Sequence, residues 1–104
     1  MMQHLRNKKY RYNPEKNLKL LETRKIGFIQ IIDAIMDGKV LAFKKHHNQE
    51  DYPNQHVIFV HIEDKVYYVP CVDEANDSMF LKTIFASDKA RKLYLPDYKK
   101  NNKS

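Results

Sequence analysis

The sequence predicts an α+β domain: a mostly antiparallel sheet with helices packed on one face, in the order β-α-α-β-β-β-β-α. Three observations lead there. Phe28, Ile31, Ile32, Ile35 and Met36 recur at helical spacing and form one apolar stripe. Four runs rich in β-branched and aromatic residues fill the second half: Val40–Lys44, Val57–Ile62, Val66–Val72 and Phe80–Ala86. The polar link Glu63-Asp64-Lys65 between two of these runs is short enough only for a tight hairpin.

The elements follow in order. Tyr10 to Tyr12 reads as a short first strand. Asn13-Pro14-Glu15 is a helix start, with Asn13 as cap, Pro14 in the first turn and Glu15 at the positive dipole end. This helix is expected to run to about Arg24 and to break at Gly27. The second helix carries the apolar stripe, a core face, and ends at Gly38. In an alternating last strand Phe80, Lys82 and Ile84 share a side, while Tyr67, Val69 and Cys71 lie opposite Tyr68 on its neighbour. Asp73 to Ser78 reads as an acidic loop. Ser87 caps a last helix from Asp88 to about Tyr94, which Pro96 stops. His61, Tyr68, Lys82 and Thr83 interrupt the apolar runs, so one sheet face is expected to be half-exposed and to mix lysine and tyrosine with apolar surface.

A chain of 104 residues with 42% apolar content suits one domain with one core. The expected layout is a basic arm over 1–9, a single domain over 10–96 and a basic tail over 97–104. The net charge is +6 and is unevenly spread. Residues 1–25 carry eight Lys or Arg against two acids, and residues 88–104 carry six against two. The middle carries five against nine. If the termini lie close together they form one basic patch, suited to a polyanion or an acidic protein; solvated tails explain the same charges equally well. No apolar run reaches the roughly 18 residues of a membrane span, and the basic start lacks the apolar stretch of a secretion signal. The expected location is the cytoplasm, with no membrane partner. Cys71, the single cysteine, lies in an apolar strand and reads as an inert buried thiol.

Several chemistries are disfavoured. His46, His47, His56 and His61 lack the clustered spacing of a zinc site, so no metal is expected. Asp73, Glu74 and Asp77 do not form the ligand comb of a calcium loop. With two glycines there is no phosphate-cradling loop and no dinucleotide fingerprint, and no cofactor is implied. Nor is there a serine nucleophile elbow. Metal-free RNA cleavage remains. There the ribose 2′-hydroxyl attacks the phosphorus, a base removes its proton, an acid protonates the leaving oxygen, and cations surround the phosphorane charge. His47, Tyr52, Lys82, Lys89 and Arg91 offer those groups. Each also has an ordinary structural role open to it: a loop bridge, a sheet-edge contact, a solvated lysine.

A family resemblance enters at these residues. Tyr12-Asn13-Pro14-Glu15-Lys16-Asn17, Lys25-Ile26-Gly27-Phe28, the loop His47 to Gln55, Val66-Tyr67-Tyr68-Val69-Pro70, Phe80-Leu81-Lys82-Thr83-Ile84 and Ser87-Asp88-Lys89-Ala90-Arg91-Lys92 resemble, in order and spacing, segments of BrnT-like toxins. The match is closest to the branch carrying Tyr52-Pro53-Asn54-Gln55 and Phe80 to Ile84, and it spans roughly residues 10–95. The resemblance implies a RelE-like fold and the toxin half of a type II toxin–antitoxin pair. It implies a ribonuclease that stops translation, an antitoxin of small DNA-binding type, and DNA contact only through that complex. It assigns Lys82, Lys89 and Arg91 to RNA phosphate or the transition-state charge, Lys82 among the catalytic residues and Lys92 beside the RNA-binding Lys89 and Arg91; His47 and Tyr52 are chosen as catalytic from chemistry and position. The chain departs from the family at Asp88, where an arginine is usual. An acid there favours the helix dipole, and Arg91, one turn on, supplies a cation. A non-catalytic module that binds an antitoxin or nucleic acid is the alternative.

Overall fold

The computed structural model describes residues 3–95. A 3₁₀ turn (Gln3–Asn7) precedes β1 (Lys9–Arg11), α1 (Pro14–Arg24), α2 (Phe28–Met36), β2 (Val40–Lys45), β3 (Gln55–Ile62), β4 (Lys65–Glu74), β5 (Ser78–Leu81), β6 (Phe85–Ala86) and α3 (Asp88–Tyr94). The strands form one mixed sheet in the order β1-β5-β4-β3-β2, with β6 beside β4. Every pair is antiparallel except β1 with β5. The α+β class agrees with expectation, and the element order does too apart from one additional strand, β6. The predicted stop at Pro96 and the tail over 97–104 lie outside the described residues.

Local chemistry sets the helices. Asn13 Oδ1 accepts from the backbone N–H of Glu15 and Lys16 and so caps α1. The helix ends at Arg24 as expected, but the left-handed residue that closes it is Lys25, at φ 61°, and not Gly27. Gly27 instead precedes α2, with extended φ, and is needed for space. A Cβ there would stand 2.9 Å from both Asn17 Oδ1 and Leu21 Cδ2. That close approach lets Asn17 Oδ1 accept from Phe28 N–H at 2.8 Å, tying the two helices together. Gly38, at φ 77°, ends α2 as read from sequence.

The core lies between α1, α2 and one sheet face. Phe28, Ile31 and Ile35 pack there with Ile58, Val60, Val69, Cys71, Met79 and Leu81. Leu5 is also in this core and fully buried, and the Tyr10 hydroxyl donates to its carbonyl. Residues 3–9 are therefore part of the domain, where a basic arm was expected. A lone leucine among cations carries no periodicity, and its role appears only in three dimensions.

Two further expectations are corrected. The run Phe80–Ala86 is split into β5 and β6. Cys71 pairs with Leu81 and Tyr68 with Phe85, so three residues, 82–84, stand opposite two, Val69 and Pro70. The extra residue is a bulge at a proline, which has no N–H to give the ladder; Lys82 N–H donates to the Pro70 carbonyl. The bulge turns Ile84 into the core, fully buried, away from the side of Phe80 and Lys82. The helices also do not share one face. Phe59 alternates with core-facing Ile58 and Val60, and its ring meets Tyr94 of α3 at 5.4 Å. Helix α3 thus lies on the opposite face, capped by Ser87 Oγ, which accepts from Ala90 N–H.

Candidate functional site

The face opposite α1 and α2 is the candidate site, and strand register builds it in rows. The row nearest the β2–β3 loop holds Gln55, Val72, Phe80 and Arg11, and His46 N–H joins it by donating to the Gln55 carbonyl. Lys44, Val57 and Pro70 make the next row, and Lys82 N–H meets Pro70 at its end. Beyond it come Ala42, Phe59, Tyr68 and Phe85. Lys44 and Lys82 therefore flank an apolar strip about 14 Å wide, three strand spacings.

Rings form a connected surface along the third row. Phe59 and Tyr68 meet edge to face at 5.5 Å, and Tyr68 and Phe85 centroids lie 5.9 Å apart. Tyr94 of α3 closes the group against Phe59. Cations sit over the rings: Lys44 Nζ is 5.9 Å from Tyr94, Arg11 Cζ 5.6 Å from Phe80, and Arg24 Cζ 5.0 Å from Phe85. Arg11 is paired with Glu74: its Nη1 donates to both carboxylate oxygens, at 2.9 and 2.8 Å. Lys82 is exposed and donates to Gln55 Oε1 at 3.3 Å.

The loop at the end of this face is ordered by its own side chains. Asn48 Nδ2 donates to Asp51 Oδ2, Asp51 N–H donates to Asn48 Oδ1, and Tyr52 N–H reaches the Asn48 carbonyl. The resulting turn stacks three rings. His46 lies 4.4 Å from His47 on one side and 4.4 Å from Tyr52 on the other. His46 Nδ1 accepts from Asn48 N–H at 3.0 Å. His47 and Tyr52 are exposed.

Of the sequence-predicted residues, His47 and Tyr52 come together on His46 in the β2–β3 loop, while Lys82 lies across the sheet and is tied to that end through Gln55. The other three stand apart. Ser87 N–H bonds the Val66 carbonyl, four residues and about 13 Å along β4 from Pro70. Arg91 reaches farther away still: its Nε donates to the Asp64 carbonyl in the β3–β4 hairpin at 2.5 Å. Lys89 and Lys92 are exposed on α3. Sequence reasoning missed His46, Lys44, Gln55, Phe59 and Tyr94. Only register reveals that Lys44 and Lys82 share a row.

A second polar cluster sits on the core side. The His56 ring stacks on Phe43 at 4.7 Å with 8° between planes. Its Nδ1 is buried and stands 4.0 Å from Asp73 Oδ2, beyond hydrogen-bond reach. Lys8 Nζ is 3.5 Å from Asp73 Oδ1, within ion-pair range but without hydrogen-bond geometry. Cys71 pairs with His56 across the strands, but its Sγ meets only the His56 carbonyl, at 3.5 Å. Burial, then the Asp73 charge, pushes the thiol up to about 12, so it stays protonated at neutral pH and is no nucleophile. Among the described residues no three His, Cys, Asp or Glu side chains gather as metal ligands. No described helix is long and apolar enough to cross a membrane.

Comparison with protein-family models, curated proteins and solved structures finds no match to the chain.

Proposed function

We propose that this protein is the toxin half of a type II toxin–antitoxin module: a BrnT-like, RelE-like ribonuclease that needs no metal, halts translation in the cytoplasm, and is neutralised by a cognate antitoxin. The observation that carries the reading is the open sheet face, where a band of Phe59, Tyr68, Phe85 and Tyr94 lies beside the Lys44–Lys82 row. Unpaired bases stack on aromatic faces, and lysines follow the backbone. Surfaces that hold single-stranded RNA combine the two. The toxin part of the reading comes from the sequence resemblance.

In this reading RNA lies across the face with its scissile phosphate at the loop end. Lys82, fixed by Gln55, meets the phosphate oxygens as charge builds on them. His47 or Tyr52 removes the 2′-hydroxyl proton, and the other protonates the departing 5′-oxygen, leaving a 2′,3′-cyclic phosphate. His46 positions both rings by contact. Lys89 and Lys92, on α3, hold flanking phosphates farther along. The DNA-binding antitoxin supplies any promoter contact.

A second reading is a non-catalytic module for an antitoxin or nucleic acid. The fold scatters the predicted cations, commits Arg91 to a backbone carbonyl and leaves Asp88 in the helical turn above the face, all of which favour it. Induced expression with RNA integrity read in parallel separates the two. The toxin reading expects growth arrest and RNA decay from the wild type, both lost in Lys82→Ala with His47→Ala at equal soluble expression. A harmless wild type that still binds single-stranded RNA leaves the binding module.

A further inference from the structure

The sheet has two open edges, and they are treated differently. The β1 edge is three residues long and carries Lys9 and Arg11. Short charged edges resist pairing. The β2 edge is six residues long, with a bulge between Val40 and Ala42 and a regular ladder from Ala42 to Lys45, and its Val40, Leu41, Ala42 and Phe43 are half-buried. The phase of its ladder is fixed by the His46 N–H to Gln55 carbonyl bond. Alternation from there puts Lys44 and Ala42 in the pairs bonded to β3. The N–H and C=O of Phe43 and Lys45 therefore point away from the sheet. Among the described residues no backbone group pairs with them.

We infer that β2 is a docking edge for an extended acidic segment of a partner protein, which adds to the sheet as a further strand. Main-chain bonds to Phe43 and Lys45 supply affinity, and side chains supply selection. The residue opposite Phe43 would be apolar. Those opposite Lys44 and Lys45 would be acidic, because cross-strand opposite charges attract and like charges repel. The same lysines reject the other candidate occupants. A second copy would add its own Lys39, Lys44 and Lys45 to the ladder. Residues 97–104 of this chain carry three lysines and one aspartate. The edge is thus closed to basic strands and open to acidic ones. This holds whether or not the opposite face binds RNA.

The test uses the full chain and two synthetic peptides of opposite polarity. One has two glutamates before a valine–threonine–valine run, and the other has them after it. Amide hydrogen exchange is read by NMR. One peptide is expected to slow exchange at Phe43 and Lys45, and Lys44→Glu with Lys45→Glu to weaken its binding at least about tenfold. A peptide with lysines in place of the glutamates should not bind. No protection at Phe43 and Lys45 with either acidic peptide overturns the inference. So does protection that needs no peptide and rises with protein concentration, which would make a second copy the occupant.

Discussion

At the residue scale, the chemistry of single groups follows from burial and neighbours more than from type. Cys71 sits at zero exposure between Val69 and Asp73 on the core face. Its thiol is raised from 9.0 to about 12 by burial first and the Asp73 charge second. The native protein should therefore resist thiol-reactive disulfides at pH 8 and react fully once unfolded. Stability follows with a definite sign. A group whose folded pKa is raised contributes fully below its unfolded value and loses that contribution as pH climbs through the folded one. Melting temperature is thus expected to fall from pH 9 towards pH 12, with a shallower fall in Cys71→Ala. Tyr10 is raised by burial and then by Cys71, and Tyr67 by burial, Glu63 and Asp64, so both keep part of the slope in that variant. The inertness of Cys71 was legible from its apolar surroundings. The ring stack at His46 was not. Two adjacent histidines say nothing of which one a turn will lock, and the Asn48–Asp51 exchange decides it.

At the element scale, caps and stripes were legible because their physics is local. Asn13 and Ser87 need only the next three backbone N–H groups, and the α2 stripe needs only its own periodicity. Replacing Ser87 by alanine should cost about 1 kcal/mol in chemical denaturation, the usual cost of a lost cap. Gly27 is different. Its role is the contact between α1 and α2, not conformational freedom. Gly27→Ala would drive a methyl against Asn17 and Leu21 and disturb the Asn17 to Phe28 bond. The expected loss is about 1–3 kcal/mol, typical of overpacking. A loss no larger than that of an exposed glycine would mean that Leu21 moves aside freely. The β5–β6 break was half legible. A proline inside a strand announces a bulge or an edge, but which neighbour carries the extra residue depends on β4 having partners on both sides. The side taken by α3 was not legible at all, since a seven-residue helix shows too few turns to declare its face.

At the scale of the whole molecule, the charge is divided by topology as well as by sequence. The acidic middle segment contributes strands, yet its acids fall largely at hairpins and loop tips: Glu63, Asp64, Glu74, Asp77, Glu50 and Asp51. The open face keeps Lys44 and Lys82 at the two ends of one row. Net charge alone could not distinguish this arrangement from solvated tails, because the two cations are 38 residues apart in sequence and meet only through the β2–β3–β4 register. If this row follows a nucleic-acid backbone, binding must respond to salt by a countable amount. Each phosphate neutralised on a single strand contributes about −0.7 to the slope of log K against log salt. Removing both lysines, as Lys44→Ala with Lys82→Ala, should make the slope for single-stranded RNA shallower by about 1.4. Phe59→Ala should weaken binding by about 1–3 kcal/mol through lost stacking and leave the slope unchanged. A slope insensitive to Lys44 and Lys82 would move the RNA contact off this row and onto other cations of the chain. The paired measurement thus separates a built platform from diffuse basic charge, and it needs no knowledge of the RNA sequence recognised.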